Sequence, residues 1–391
     1  MKVSIIGQGY VGLPLAIAIV EAGHQVVGID LDTQLIKKLE SGISTIHDLA
    51  DSQIKCVLNT GRYELANNFQ SVATSEIVII CVPTPLDNMQ KPDTSFLVSA
   101  VTSVAAHLKI GSLVINESTV SPGTTRGLIK KILDTANVDY DLVYSPERID
   151  PSNKKWNITN TPKLISGLTL SSTKRAESFY KTFVETVKIG TSPEVVETAK
   201  LLENSFRLIN ISFINEFAQF CSGLKIDVRE VIDAAATKPY GYMPFYPGVG
   251  IGGHCIPVDP SYLVSKAEEI GSPTRFINLA NDINRSMATY FAGVASEILS
   301  GLERKKILIV GIAYKPNVAD IRETPAADLI NKLRSKGADV AWHDDLVRDW
   351  NGEKSVPLSS NYDLIILANP HSTTNLSLLG SAKVLDTSGG Y

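Results

Sequence analysis

An apolar strand pattern that closes on a glycine occurs twice in this chain, at Lys2-Val3-Ser4-Ile5-Ile6-Gly7 and at Lys306-Ile307-Leu308-Ile309-Val310-Gly311. The residues after each copy repeat as well. After the first come a helix pattern from Leu13 to about Ala22, then Gly23-His24, a second strand Val26-Val27-Gly28-Ile29, and Asp30. After the second come a helix pattern over Pro325–Lys336, then Gly337-Ala338-Asp339-Val340 and His343-Asp344-Asp345. A third apolar run, Tyr362–Leu367, matches Val78–Val82. Strand, helix, strand is the βαβ unit, and short apolar strands alternating with helices predict a parallel sheet covered on both faces. Further strands are expected at Glu76–Val82, Leu113–Asn116 and Asp141–Tyr144.

Between the repeats the period changes to 3.6. Glu194, Val195, Thr198, Leu201, Leu202, Ser205, Leu208, Ile209 and Phe213 form one stripe, which predicts a long central helix from Pro193 to about Gly223 and more helix through Ala236. Residues 237–255 are rich in Gly, Pro and Tyr and read as a loop, and a further helix spans about Arg275–Ser300. The predicted fold is α/β, with two Rossmann-like doubly wound domains joined by a long central helix. The boundaries are 1–192 for a dinucleotide-binding domain, 193–300 for a helical middle and 301–391 for a second nucleotide-type domain.

The chain has 391 residues, enough for two or three cores, and its 44% hydrophobic and 20% charged residues are those of a globular protein. A net charge of −4 without a long basic run gives no handle for nucleic acid or an anionic membrane. No apolar stretch has the length of a membrane span, and the N-terminus reads directly as a strand rather than a leader. Cys56, Cys81, Cys221 and Cys255 are scattered and form no CxxC pair, which argues against zinc and a disulfide framework and for a reducing cytoplasm. No metal site is expected.

Gly7, Gly9 and Gly12, with Tyr10 and Val11 between them, fit G-x-G-x-x-G. The first glycine permits the tight turn, the second lets the backbone approach a pyrophosphate, and the third lets helix and strand pack closely. The helix N-terminus offers unpaired amides to phosphate, and Asp30 stands where an acid reads an unphosphorylated ribose. NAD is therefore the expected cofactor. The second copy lacks the full glycine set, so Lys315 and Arg322, which come after it, suit the phosphates of another nucleotide or form a surface charge pair.

Cys255, in Gly252-Gly253-His254-Cys255, has glycines before it and Asp259 four residues after it. It is either a nucleophile approached closely by a ligand or a small packed hydrophobe. Lys200 and Asn204 share a helix face, either to hold an oxyanion or as a solvated pair. Thr84, Thr119, Glu147 and Arg148 lie at strand C-terminal ends, where ligands bind in such sheets.

These stretches together resemble the UDP-glucose/GDP-mannose dehydrogenase family, the nucleotide-sugar 6-dehydrogenases. The match runs through Gly7–Pro14, Val82–Pro85, Glu117–Thr125, Ser145–Arg148, Lys200–Asn204, Pro247–Cys255 and Lys315–Arg322. The resemblance implies oxidation of a sugar C6 alcohol to a carboxylate with two NAD⁺, through a thiohemiacetal and a thioester on Cys255. It assigns oxyanion stabilisation to Lys200 and Asn204 and water handling to Asp259 and Thr119. Glu147 would assist thioester hydrolysis, Lys315 would bind the nucleotide sugar, and Arg322 would lie near the cofactor–substrate junction. The central helix would form a homodimer interface.

The run Ser145–Asp150, with Pro151 where UDP-glucose enzymes carry a second glutamate, resembles the branch acting on UDP-N-acetylhexosamines. The run Ala236–Pro247, which includes Phe245 and Tyr246, resembles UDP-N-acetylglucosamine 6-dehydrogenases. Val249 stands where the family commonly has proline. The alternatives are the same chemistry on UDP-N-acetylmannosamine or UDP-glucose, and a non-catalytic nucleotide-sugar-binding protein.

Overall fold

The computed structural model describes residues 1–46, 49–150, 153 and 155–389. It divides into two compact units: residues 1–202 with 261–271, and residues 203–260 with 272–391. Two helices, at residues 193–224 and 255–269, run from one unit into the other.

The first unit is built on an eight-stranded sheet of β1 (Lys2–Ile6), β2 (Gln25–Ile29), β3 (Tyr63–Ala66), β4 (Ile77–Ile80), β5 (Ser112–Asn116), β6 (Tyr140–Tyr144), β7 (Lys163–Gly167) and β8 (Val187–Ile189). Its order is β3-β2-β1-β4-β5-β6-β7-β8. Helices α1 (Gly12–Glu21), α2 (Thr33–Glu40), α3 (Asp51–Asn59), α4 (Ser95–Ala105), α5 (Lys130–Leu133) and α6 (Leu170–Tyr180) make the connections. Successive strand residues point to opposite faces. Val3, Ile5, Ile77, Ile79, Leu113 and Ile115 enter one buried cluster, while Ile6, Val78, Ile80 and Val114 enter the other. Burial on both faces explains why these strands read as unbroken apolar runs rather than alternating ones.

One pairing departs from the parallel expectation. β7 runs antiparallel to β6, with Val143 opposite Gly167 and Tyr144 opposite Ser166. Parallel neighbours need a crossover, usually a helix. The described residues between β6 and β7 form no helix, so the chain returns directly and reverses.

The long helix α7 spans Pro193–Leu224 and is followed by α8 (Val228–Ala236) after a break at Lys225, which has a positive φ of 58°. The apolar stripe does not face inward as a whole. Leu201, Ser205 and Leu208 are buried, but Val195, Leu202 and Phe213 are exposed. The buried side carries Glu197, Lys200, Asn204, Ser212 and Asn215. Periodicity locates a face of a helix and does not say which face meets the core.

The loop after α8 ends one residue sooner than expected, because Cys255 is the first residue of α9 (Cys255–Glu269). Pro257 fits there, since the first turn of a helix has no use for its missing N–H. Helix α10 (Arg275–Leu299) then leads to the second sheet.

That sheet contains β9 (Lys306–Val310), then α11 (Pro325–Ser335), β10 (Asp339–His343), a short hairpin of β11 (Asp349–Trp350) and β12 (Glu353–Lys354), β13 (Leu364–Leu367) and β14 (Val384–Asp386). Its order is β10-β9-β13-β14, all parallel. β9 flanked by β10 and β13 repeats β1 flanked by β2 and β4. No helix among the described residues is long and apolar enough to cross a membrane.

Candidate active site

In the first unit the glycine turn has the geometry its three positions require. Gly7 has a φ of 92°, and a Cβ there would lie 2.5 Å from the Cys81 carbonyl oxygen. A Cβ on Gly12 would lie 1.9 Å from the Gly7 oxygen, so helix and turn touch backbone to backbone. A Cβ on Gly9 would meet nothing within 4 Å. Gly9 thus presents an open backbone face, which the approach of a diphosphate would require. Val11 precedes the first turn of α1, which has no side-chain cap and no acidic residue. The Leu13 and Leu15 amides donate to the Gly9 and Val11 carbonyls at 3.1 and 3.2 Å and Pro14 has no N–H, so a phosphate would meet the turn itself and the Gly12 amide. Tyr10 is part-exposed beside it. Asp30 accepts from the Gln8 and Asp32 amides at 2.8 and 3.0 Å and is only partly buried. The residues present fit NAD.

Beyond the next strands, Thr84 is buried, and its carbonyl accepts from the Tyr262 hydroxyl at 3.0 Å. Thr119 is half-buried just after β5. Glu147 is held on all sides. One carboxylate oxygen accepts from the Arg148 and Ile149 amides at 2.6 and 2.7 Å, and the other from Lys163 Nζ at 3.1 Å. Its backbone carbonyl accepts from Lys200 Nζ at 2.7 Å. Lys163 also reaches Glu117 at 2.8 Å, and Glu117 accepts from the Tyr180 hydroxyl at 2.5 Å. Arg148 donates to the Pro162 carbonyl at 2.8 Å.

Burial alone would raise both carboxyl groups. It wins at Glu117, whose pKa is raised. At Glu147, Lys163 and the two backbone amides outweigh burial, and the pKa is lowered. Glu147 is thus an anion with a fixed orientation. Lys163 carries no local sequence signal, because its partners lie 46 and 16 residues away.

The second unit holds the cysteine. Cys255 is exposed at the head of α9, where helix amides favour negative charge. Asp259, one turn along the same face, is buried, and the Asn204 amide donates to it at 2.5 Å. Asn204 lies one turn beyond Lys200 on α7. His254 has a lowered pKa, from burial first and then from the positive charge of Arg322, and is neutral at pH 7.

The glycines before the thiol have an intrachain reason. A Cβ on Gly252 would lie 2.5 Å from the Glu323 oxygen, and one on Gly253 2.8 Å from the Tyr314 ring. The Gly253 amide also donates to the Arg322 carbonyl at 2.9 Å. The loop over residues 314–323 therefore packs on the side of these glycines where a Cβ would stand. The Arg322 side chain is paired with Asp320, with its closest contact at 2.6 Å, and Lys315 is half-buried on the same loop. Phe245 packs edge-on to Phe206 with centroids 5.9 Å apart, and exposed Tyr246 donates to Asp233 at 3.2 Å. Pro151 lies outside the described residues.

The chain matches the three models of one family along nearly its whole length. Residues 1–184 match the NAD binding domain of the UDP-glucose/GDP-mannose dehydrogenase family, 194–286 its central domain, and 308–386 its UDP binding domain. The chain belongs to this family. It is an NAD-dependent nucleotide-sugar dehydrogenase, an oxidoreductase with a UDP-binding domain.

Among relatives, it is 34% identical to the UDP-N-acetyl-D-mannosamine dehydrogenase of Pyrococcus horikoshii, over 95% of this chain and 90% of that one. It is also 34% identical to the UDP-N-acetyl-D-glucosamine 6-dehydrogenase of Pseudomonas aeruginosa, over 98% of this chain and 95% of that one. The solved structure of the Pyrococcus horikoshii enzyme superposes with a TM-score of 0.91 at 31% identity, covering 99% of this chain and 95% of the other. The sugar named differs between relatives of equal identity.

Proposed function

We propose that this dehydrogenase oxidises the C6 alcohol of UDP-N-acetylglucosamine to the uronic acid, in four electrons, through a covalent intermediate on Cys255, to supply precursors for surface polysaccharide. The observation that carries the reading is an exposed thiol at a helix N-terminus, one turn from a buried Asp259 that Asn204 holds. A two-electron alcohol dehydrogenase needs no such thiol. The choice of N-acetylglucosamine rests on Ser145–Asp150 and on the loop Ala236–Pro247.

Gly7, Gly9, Tyr10, Val11, Gly12, Asp30, Thr84, Thr119 and Arg322 are the proposed cofactor contacts, and bound NAD⁺ supplies the hydride acceptor for both oxidations. A base takes the C6 hydroxyl proton as hydride leaves, giving the aldehyde. The Cys255 sulfur then forms a bond to the aldehyde carbon, and the oxygen takes up a proton. This adduct loses a second hydride and that proton to become a thioester. Water adds to the thioester carbonyl, the carbon–sulfur bond breaks, and carboxylate and thiol are released. Lys200 and Asn204 stabilise the oxyanion of each addition, and Asp259 and Thr119 orient water. Glu147 assists hydrolysis, and its fixed anionic carboxylate suits it to orienting water. Arg148, Phe245, Tyr246, Gly252, Gly253 and Lys315 complete the substrate contacts. The corresponding domains are 1–192, 193–300 and 301–391.

We further propose a homodimer through α7, whose exposed side carries Val195, Leu202, Phe206, Phe213 and Phe220, and a cytoplasmic setting. Light scattering should give twice 42.3 kDa, and Phe213→Glu should reduce it to one chain.

The deciding experiment measures NADH formed per sugar with limiting UDP-N-acetylglucosamine and excess NAD⁺. Two NADH and an acidic product are expected, and Cys255→Ser should stop before free acid. One NADH overturns the role of Cys255. No NADH, with turnover of UDP-N-acetylmannosamine or UDP-glucose, moves the substrate assignment.

A further inference from the structure

In the second sheet, Asp344 follows β10 at the place Asp30 holds after β2. Its surroundings are unlike those of Asp30. It accepts from the Ile312, Ala313, Leu346 and Val347 amides at 2.9, 3.1, 2.9 and 2.9 Å, and from His371 Nε2 at 2.8 Å. Neither the Asp344 nor the His371 side chain is exposed to solvent. Five donors occupy a carboxylate with about four lone-pair sites, so a ribose hydroxyl finds no place on it. The other imidazole nitrogen, Nδ1, accepts from the Asn317 amide at 2.8 Å. An amide can only donate, so Nδ1 carries no proton and Nε2–H points at Asp344. Asn317 adopts a positive φ of 64°, and its side chain accepts from the Ser372 amide and hydroxyl at 2.9 and 2.8 Å.

We propose that the buried Asp344–His371 pair is the latch that sets the loop over residues 314–317, making His371 a positioning residue for nucleotide binding. The acid that would read a ribose in the first fold here anchors an imidazole, and the imidazole fixes the backbone two residues beyond Lys315. The same loop abuts Gly253 through Tyr314, so its position also bears on the segment that leads to Cys255. This rests on the reading of Lys315 as a ligand of the nucleotide sugar.

Two amide side chains divide the functions of the imidazole. Asn at 371 can place its oxygen where Nδ1 stands and keep the acceptor for the loop. Gln can place its nitrogen where Nε2 stands and keep the donor to Asp344 while losing the acceptor. Calorimetric titration of the full chain with UDP should show wild-type and His371→Asn proteins within about threefold of each other. His371→Gln should weaken UDP about tenfold, the value of one hydrogen bond to a backbone amide. NAD⁺ affinity should be unchanged in both. Should His371→Gln fail to fold, Ser372→Ala, at an exposed position, should weaken UDP about threefold. Wild-type protein that does not bind UDP overturns the underlying reading of the loop. Wild-type binding with His371→Gln, or in its place Ser372→Ala, unchanged overturns the latch alone. Equal losses in His371→Asn and His371→Gln also overturn it, since they reduce His371 to a core residue.

Discussion

Asp30 and Asp344 occupy the same place in two copies of one motif, yet they serve different masters. Asp30 accepts two backbone amides and stays partly exposed. Asp344 accepts four amides and an imidazole and is buried. The glycine turns diverge in the same way. Both open on a glycine of positive φ, Gly7 at 92° and Gly311 at 84°, but only the first continues through an open Gly9. A strand–turn–strand frame is thus indifferent to its ligand. On the reading proposed above, the bonding partners of the acid after its second strand separate a site open to a dinucleotide from one that holds its own loop in place.

The largest test of this contrast is the substitution of the two acids. Asp344→Asn leaves one amide oxygen to satisfy donors that now surround a carboxylate, and adds a donor among them. It should cost about 3–5 kcal/mol, the usual result of breaking a buried, fully bonded ionic group. Urea melts of the two proteins check this. A loss below about 1 kcal/mol would mean that Asp344 is no keystone.

Gly311→Ala and Gly9→Ala should separate packing from binding. A Cβ at Gly311 would sit 2.0 Å from the Asn369 oxygen, on backbone at positive φ, and should cost about 3 kcal/mol or more. A Cβ at Gly9 meets nothing within 4 Å, so stability should change by less than about 1 kcal/mol while NAD⁺ binding weakens at least about tenfold. Equal effects of the two on melting would remove the argument that Gly9 faces a ligand.

Legibility in the sequence tracks the range of the contacts. The repeat is local, so both sheets, the glycine turn and Asp30 could be read from runs of a few residues. The length of α7 was legible from its period. Its inward face was not, because apolar residues lie on both sides and the buried side is polar at Lys200, Asn204 and Asn215. The reversal of β7 depends on a missing crossover helix, which an apolar run does not report. Lys163 and His371 were invisible for a different reason. Each is defined by partners tens of residues away, Glu117 for the one and Asp344 for the other, and neither sits in a pattern of its own.

Acid should distinguish the halves more gently. Asp344 titrates at about 2 rather than near 3.8: burial pushes it up, but His371 and the Val347 and Leu346 amides pull it down further. A depressed carboxyl pKa adds stability above the unfolded value, and that stability is lost as pH falls through the folded value. The contribution is about 2 kcal/mol, complete above about pH 4 and declining toward pH 2. In the first unit Glu147 acts in the same sense and Glu117 in the opposite sense, since its pKa is raised. Trp342 and Trp350 report on the second half, and Trp156→Phe removes the tryptophan of the first. Tryptophan emission in that variant should shift at a higher pH than the helix signal is lost. Coincident transitions would show no such asymmetry.

The smallest effect on stability is expected at Asp30→Asn. One of its oxygens holds the Gln8 amide and the other the Asp32 amide. Asparagine keeps one acceptor, and water can serve the second amide because the site is not sealed, so the cost should stay under about 1 kcal/mol. Binding should tell the other half of the comparison. The charge-assisted bonds from a ribose diol are lost, which should weaken NAD⁺ about tenfold. Removing the negative charge should also narrow the preference over NADP⁺, whose extra phosphate the carboxylate repels. Melting and cofactor titrations on the same preparation measure both. If Asp30→Asn destabilised the protein as much as Asp344→Asn while leaving NAD⁺ affinity intact, the two acids would be equivalent structural anchors. The contrast between a reading acid and a holding acid would then have to be abandoned.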